Sequence, residues 1–489
     1  MEISLRSVCR TSLGLTLVSP ILIILVFSEN WSWPESSQLA GVLWFTTLQA
    51  GLSALISFAI GLSGAIGLLY WQGSRFQSWL EVLCLLPGFV PPLFVILPVF
   101  HVGSWVGKYP LGLFGIVLVH ALMNVGLVAV VVARLIYSKM GRMVELAWVE
   151  GASRWAILQQ GVLVFLRADI ALLVFYLFTL CFTSFAIPLM MGGLQGVTLE
   201  VLIYEKIRQG GGWSQAFVLS VLQFGLLFLF SLVLSSHPDI QSRDRFQIQY
   251  LSWWPGVVLP LLICAFVFLG QLTGIGKGMT QLLETSLLLE RLPLLVMRTL
   301  LVGLGTGMLV FLLLTLVATL SPHWGLDRFL TGYVSPSPVV TGFACLLLGF
   351  YGPWGSHIAM AIGLALLFLP GLYRLAGRSS LQALTRQVHV ARVAGASWRL
   401  TFWRITFPQV QSSFWWLAGL AAFWACGDFA FSSIVAESSS TLGLLVKAYM
   451  TSYHLELASV LNLLLVLVSS TCFLAFGGLA FVAHRKSHL

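Results

Sequence analysis

Long stretches with hardly a charge, such as "LGLFGIVLVHALMNVGLVAVVVARLIY" (111–137), recur along the whole chain. About 20 mostly apolar residues cross the hydrocarbon core of a bilayer as a helix. Inside that core only helices and closed barrels satisfy their own backbone. These stretches lack the in-out alternation of a barrel strand, so they predict helices. Twelve spans are expected, near 12–28, 43–70, 80–101, 111–137, 169–191, 215–236, 253–272, 293–320, 338–351, 355–376, 412–435 and 457–483. The stretch 338–351 is short and suits a tilted or partly re-entrant segment. The first span follows Arg6 and Arg10 like a secretory signal, but no small-residue cleavage site precedes Trp31, so it is read as an anchor. The fold class expected is an all-α polytopic membrane protein.

A formal net charge of +9 could suggest nucleic acid. Its distribution argues against that. With the N-terminus inside, most of the 26 Lys and Arg fall in loops on the inner face, as cytoplasmic loops of membrane proteins require. The even span number then returns the C-terminus, with its "HRKSHL", to the same side. Of the seven cysteines, six fall within spans and Cys9 at an inner edge, and none has CxxC spacing, so neither a disulfide framework nor a zinc site is expected.

The polar stretch 235–250, "SSHPDIQSRDRFQIQY", separates six spans from six. The halves repeat each other. Gly151-Ala152-Ser153 returns as Gly395-Ala396-Ser397. Phe185 in "TSFA" and Phe429 in "GDFA" follow their glycines at the same interval, and "TLEVLIY" (198–204) answers "TLGLLVKAY" (441–449). A polar triplet, an interval and a second motif kept in order are hard to obtain by chance between Leu-rich helices. The expected domains are a first repeat (1–236) with a basic loop 138–168, a cytoplasmic linker (237–250), and a second repeat (251–489) with a basic loop 377–410. The two are related by an axis along the membrane normal.

Each loop is too rich in Arg for the bilayer, where one central Arg costs roughly 2.5–3.5 kcal/mol or more. In "WRLTFWRITFP", Trp398, Phe402 and Ile405 share one helical face, with Arg399 and Arg404 off it. A short amphipathic helix is predicted, ending near Pro408. Gly395 and Ala396 before it permit a tight turn. Such a helix suits a groove on a partner, or lies flat in the headgroups; two copies in matching places favour a symmetric or pseudo-symmetric partner.

The segments "ELAWVEGAS" and "HVARVAGAS…FWRITFP" resemble the "EAA" loop of ABC-importer permeases. The resemblance implies the two-in-one, type I ABC importer permease architecture, in which that loop is a coupling helix docked on a cytoplasmic ATPase. Carried over by position, Glu145, Ala147, Gly151, Ala152 and Ser153 form the first coupling loop. Ala391, Gly395, Ala396, Ser397, Phe402, Ile405 and Pro408 form the second. His389 replaces the usual Glu, Leu146 and Val390 the first Ala, and Val164 the expected Pro, which implies unequal coupling at the two loops. Segments 180–207 and 426–435 are similar to thiamine and ferric-iron permeases of this length, and "VLVHALMNVGL" (117–127), with His120 and Asn124, to the thiamine type. The resemblance implies a bacterial inner-membrane location, two copies of a separate ATPase, and an extracytoplasmic substrate-binding protein.

No GxxxxGK[ST] nucleotide loop occurs, since "GIGKGMT" (274–280) lacks the spacing. The nine histidines have no metal-ligand spacing, and Ser438-Ser439-Ser440 reads as a polar outer loop. Neither catalysis nor a cofactor is expected. Asp428 is a carboxylate within a span, which points to a substrate path for a cation. Its alternative, preferred here, is a cap on a helix break beside Gly427; the counterpart in the first half is Ser184. His120 and Asn124 are read as bonding across helices rather than touching substrate. Outer acids such as Glu200, Glu205, Glu437 and Glu456 contact a binding protein or are solvated. A proton-coupled transporter of the major-facilitator kind is the rival. It favours a basic loop after the second span of each half, where this chain has only the unrepeated "QGSRFQS".

Overall fold

A computed structural model describes the backbone of residues 2–27, 31–193, 196–208, 212–234, 251–320, 327, 330, 337–349, 354–436 and 440–487. The expected linker 237–250, Glu437, Ser438 and Ser439 lie outside the described residues. All regular structure among the described residues is helical. Seven helices there are long and apolar enough to cross a membrane, and nine spans result if each of two sharply bent pairs counts as one. The chain is therefore an all-α, multi-pass membrane protein, although length and hydropathy do not reproduce all twelve expected spans. Thr16–Phe27 and Pro338–Leu347 are shorter apolar helices. Phe407–Gly427, diluted by Gln, Ser and Trp, is not among the seven.

The span expected over 80–101 is a broken one. Gln77–Phe89 and Pro92–Val106 meet at 82°. Pro91 explains the break. The residue before a proline is pushed out of the helical region, and Val90 is extended at φ −78°, ψ 152°. Pro92 then stands in the first turn of the next helix, where its missing N–H is not needed.

The chain divides into two compact units. One comprises Glu35–Leu202 and Ser236–Ile275. Its long helix Ser36–Tyr70 packs along Leu113–Leu135 and Arg167–Phe182. Small residues make the first of these contacts close: a Cβ on Gly61 would stand 2.5 Å from that of Val128. The other unit comprises Met1–Pro34, Ile203–Ser235 and Gly276–Leu489. There Ser286–Leu320 packs on Gly355–Leu372 and Phe407–Gly427, and the last of these packs on Leu455–Ser487. A stack of Phe311, Trp415 and Phe476 fills that seam, with centroids 3.7 and 5.9 Å apart. Within each unit, then, the helix that enters a basic loop and the helix that leaves it both lean on one long helix.

Candidate functional site

The two basic loops share a backbone design, built from the motif residues. In the first, helix Gly141–Val149 closes with a bond from Ala152 N–H to the Ala147 carbonyl (2.9 Å) and one from Gly151 N–H to Trp148 (2.9 Å). In the second, helix Thr385–Val393 closes with Ala396 to Ala391 (3.0 Å) and Gly395 to Arg392 (3.1 Å). This nested pair is the Schellman helix stop, which requires a left-handed residue at its centre. Gly151 and Gly395 supply it, at φ +82° and +85°. The serine after each triplet's alanine restarts the chain: the Ser153 hydroxyl accepts from Ala156 N–H (3.2 Å), and that of Ser397 from Leu400 N–H (3.4 Å). The string Ala-x-x-x-Gly-Ala-Ser thus encodes stop, turn and restart.

Beyond the turn the expected amphipathic helix is corrected. Trp398–Thr401 passes into a π-helical stretch, Phe402–Thr406, and then into Phe407–Gly427. Pro408 does not end the helix; it sits in the first turn of Phe407–Gly427, where the wide turn before it accommodates the ring. Nor do the aromatics form an outward face. Phe402 is buried, Ile405 is half-buried, and Trp398 donates its indole N–H to the Thr319 carbonyl at 2.9 Å. Of the remaining motif residues, Glu145, Ala147, Ala152, Ala391 and Ala396 are half-buried.

Gly151, Ser153, Gly395 and Ser397 are exposed, and beside them each loop exposes apolar residues that the motif does not single out. Leu146 and Val149 are 58% and 78% exposed, and their counterparts Val390 and Val393 are 61% and 75%. Each pair lies one turn apart on the helix ahead of its glycine. Trp155 in the first loop, and Leu400 and Trp403 in the second, are exposed as well. Their signal in the sequence is a pair of apolar residues at i and i+3 beside a helix stop. Different ion pairs brace the two loops. Lys139 and Asp169, from opposite ends of the first, meet at 2.6 Å. At the second, Arg378 and the Tyr373 hydroxyl both bond Asp327, at 3.2 and 2.9 Å.

The intramembrane candidates have local partners. Asp428 accepts bonds from the backbone N–H and the hydroxyl of Ser432, both 2.9 Å, and so caps the short helix Ser432–Val435 after the break at Gly427. His120 Nδ1 lies 3.3 Å from the Ser53 hydroxyl, and the Asn124 amide is 3.6 Å from Cys181 Sγ. These are bonds between helices. Ser184, at the matching break, bonds through its N–H to the Cys181 carbonyl.

The repeated "TL" segments share one further device. Thr46 Oγ1 accepts from Leu199 N–H at 2.9 Å while donating to Val42. Thr299 Oγ1 accepts from Leu442 N–H at 3.0 Å while donating to Leu295. Thr46→Val or Thr299→Val leaves a buried N–H without a partner, so each is expected to cost about 1–3 kcal/mol. Unfolding of the detergent-solubilised protein measures this, and Thr→Ser at either site should restore most of the loss.

The fold is that of an all-α, multi-pass membrane protein, and these loops resemble those of the permease subunits of ABC importers. Among characterised proteins the chain resembles the thiamine transport permeases in particular. It is 27% identical over 230 residues to the thiamine transport system permease protein ThiP of Escherichia coli, covering 42% of this chain and 43% of that one. Identity to ThiP of Salmonella typhimurium is 28% over 212 residues, 40% and 39% of the two chains. With ThiP of Haemophilus influenzae it is 29% over 218 residues, 41% and 40%. The chain thus matches about two-fifths of the length of these relatives. No family model and no solved structure matches it.

Proposed function

We propose that the chain is the fused permease of an ATP-driven importer in a bacterial inner membrane, built as two repeats with both termini on the cytoplasmic side. Thiamine or its phosphates are the preferred substrate, with ferric iron second. A soluble binding protein delivers the substrate outside, and two copies of an ATPase grip Leu146–Ser153 and Val390–Ser397 inside. Closure of the ATPases then moves both turns as rigid bodies and rocks the halves about a central path. The observation that carries this reading is the repeated pair of exposed apolar residues beside a Schellman turn: a water-facing loop has little reason to present them twice unless something covers them. The resemblance to thiamine permeases adds the substrate.

A mild-detergent pull-down from native membranes tests the assembly. Recovery of an ABC ATPase at two copies per chain supports it. A well-folded chain that recovers none would end the coupling reading and send attention to proton-driven uptake. Radiolabelled thiamine and ferric iron, offered to proteoliposomes holding the recovered complex and its binding protein, separate the substrates.

A further inference from the structure

We propose that the cleft between helices Ser286–Leu320 and Leu442–Thr451 binds an anionic phosphate group carried on an apolar body, with Arg291 and Arg298 as its ligands. The cleft has a volume of about 440 Å³ and is lined by Thr285, both arginines, Tyr449 and several leucines. That size lies in the range of sites for small organic molecules, about 300–1,000 Å³. The arginines are two helical turns apart, roughly 10 Å along one face. Neither has a carboxylate partner among the described residues, and the buried Nε of Arg298 has no hydrogen-bond partner there.

Two unpaired guanidinium forks in one cleft call for an anion with several acceptor oxygens, and phosphate fits that geometry by bidentate bonds. The walls specify the rest. Leu287 and Leu294 line the cleft and are exposed, so whatever enters carries apolar surface beside its charge. Depth in the membrane agrees. Trp398 ties the second basic loop to Thr319 near the far end of the same helix. About 32 Å of helix lies between Thr319 and Arg298, close to the roughly 30 Å of the hydrocarbon core. Arg298 therefore stands at the edge of the core on the face opposite that loop, with Arg291 roughly 10 Å further out on the headgroup side. Both the phosphodiester of a lipid headgroup and the phosphate of a dissolved ester have the required chemistry there. Binding in this cleft is independent of the importer reading.

Delipidated full-length protein, titrated in detergent and followed by native mass spectrometry, tests it with two probes. One is dioleoyl phosphatidylglycerol, for the lipid source; the other is phenyl phosphate, for a dissolved ester. Saturable binding of either probe to wild type is expected, weakened at least tenfold in Arg291→Gln/Arg298→Gln and unchanged in Lys277→Gln, an exposed charge outside the cleft. The probe that binds names the source. Should the glutamine variant aggregate, Arg291→Lys/Arg298→Lys keeps the charge but loses the fork and should bind at least threefold more weakly. Saturable binding of neither probe, or equal binding by wild type and the arginine variants, overturns the proposal.

Discussion

On the importer reading, replacing Gly151 and Gly395 together by valine is expected to abolish both transport and retention of the ATPase, while the membrane body stays folded. The cause is conformational. A Cβ built at either glycine meets no other atom within 4 Å, so bulk is tolerated. What valine cannot do is hold φ near +82° and +85°. Left-handed backbone costs an L-residue roughly 1–2 kcal/mol, and a β-branched residue there is an outlier. Opening the turn releases both nested bonds and separates Leu146 and Val149, or Val390 and Val393, from the serine restart. Asparagine visits the left-handed region more readily than other residues, so Gly→Asn at both sites should retain a measurable part of the activity. Uptake in proteoliposomes and ATPase recovery should fall in the order Gly, Asn, Val. Activity of the double valine variant equal to wild type would refute the role assigned to the turns.

The second large effect is expected at the brace of the first loop. Lys139 and Asp169 have side chains only 19% and 17% exposed. Removing one partner of such a pair leaves the other charge largely buried and alone, at a cost of about 3–5 kcal/mol. Asp169→Ala should therefore destabilise the detergent-solubilised protein by that order. Lys139→Met combined with Asp169→Leu removes both charges together and should recover most of the loss. A single-variant cost below about 1 kcal/mol, the range of exposed ion pairs, would mean that water reaches the bridge and that it braces nothing.

Much of this is legible in the sequence because the deciding signals are local. Apolar length points to the helical membrane fold, and the Gly-Ala-Ser triplets mark both turns at the residues where they stand. Local periodicity misleads where the helix changes its pitch. Counting 3.6 residues per turn places Trp398, Phe402 and Ile405 on one outward face, but the wider turn over Phe402–Thr406 rotates the residues beyond it. The same wide turn lets the chain run through Pro408. Apolar content alone makes 80–101 look continuous, although Pro91 breaks it. The apolar pairs at i and i+3 beside each stop are visible in the sequence, but not their exposure, since an apolar residue on a loop helix looks alike in sequence whether it faces its own protein or water. Asp428 bonds Ser432 four residues on, a local pairing that the sequence does not single out.

The π-helical stretches occur on both limbs of each loop, over Ile136–Met140 and Ile157–Val162 in the first and Tyr373–Gly377 and Phe402–Thr406 in the second. Each holds one residue more than an α-helix of the same rise would need. A surplus residue can migrate along a helix without breaking the chain. Passing it from one side of a segment to the other turns that segment by about 100° and slides it about 1.5 Å. Each limb thus contains its own slack, one residue on either side of the turn that each glycine closes.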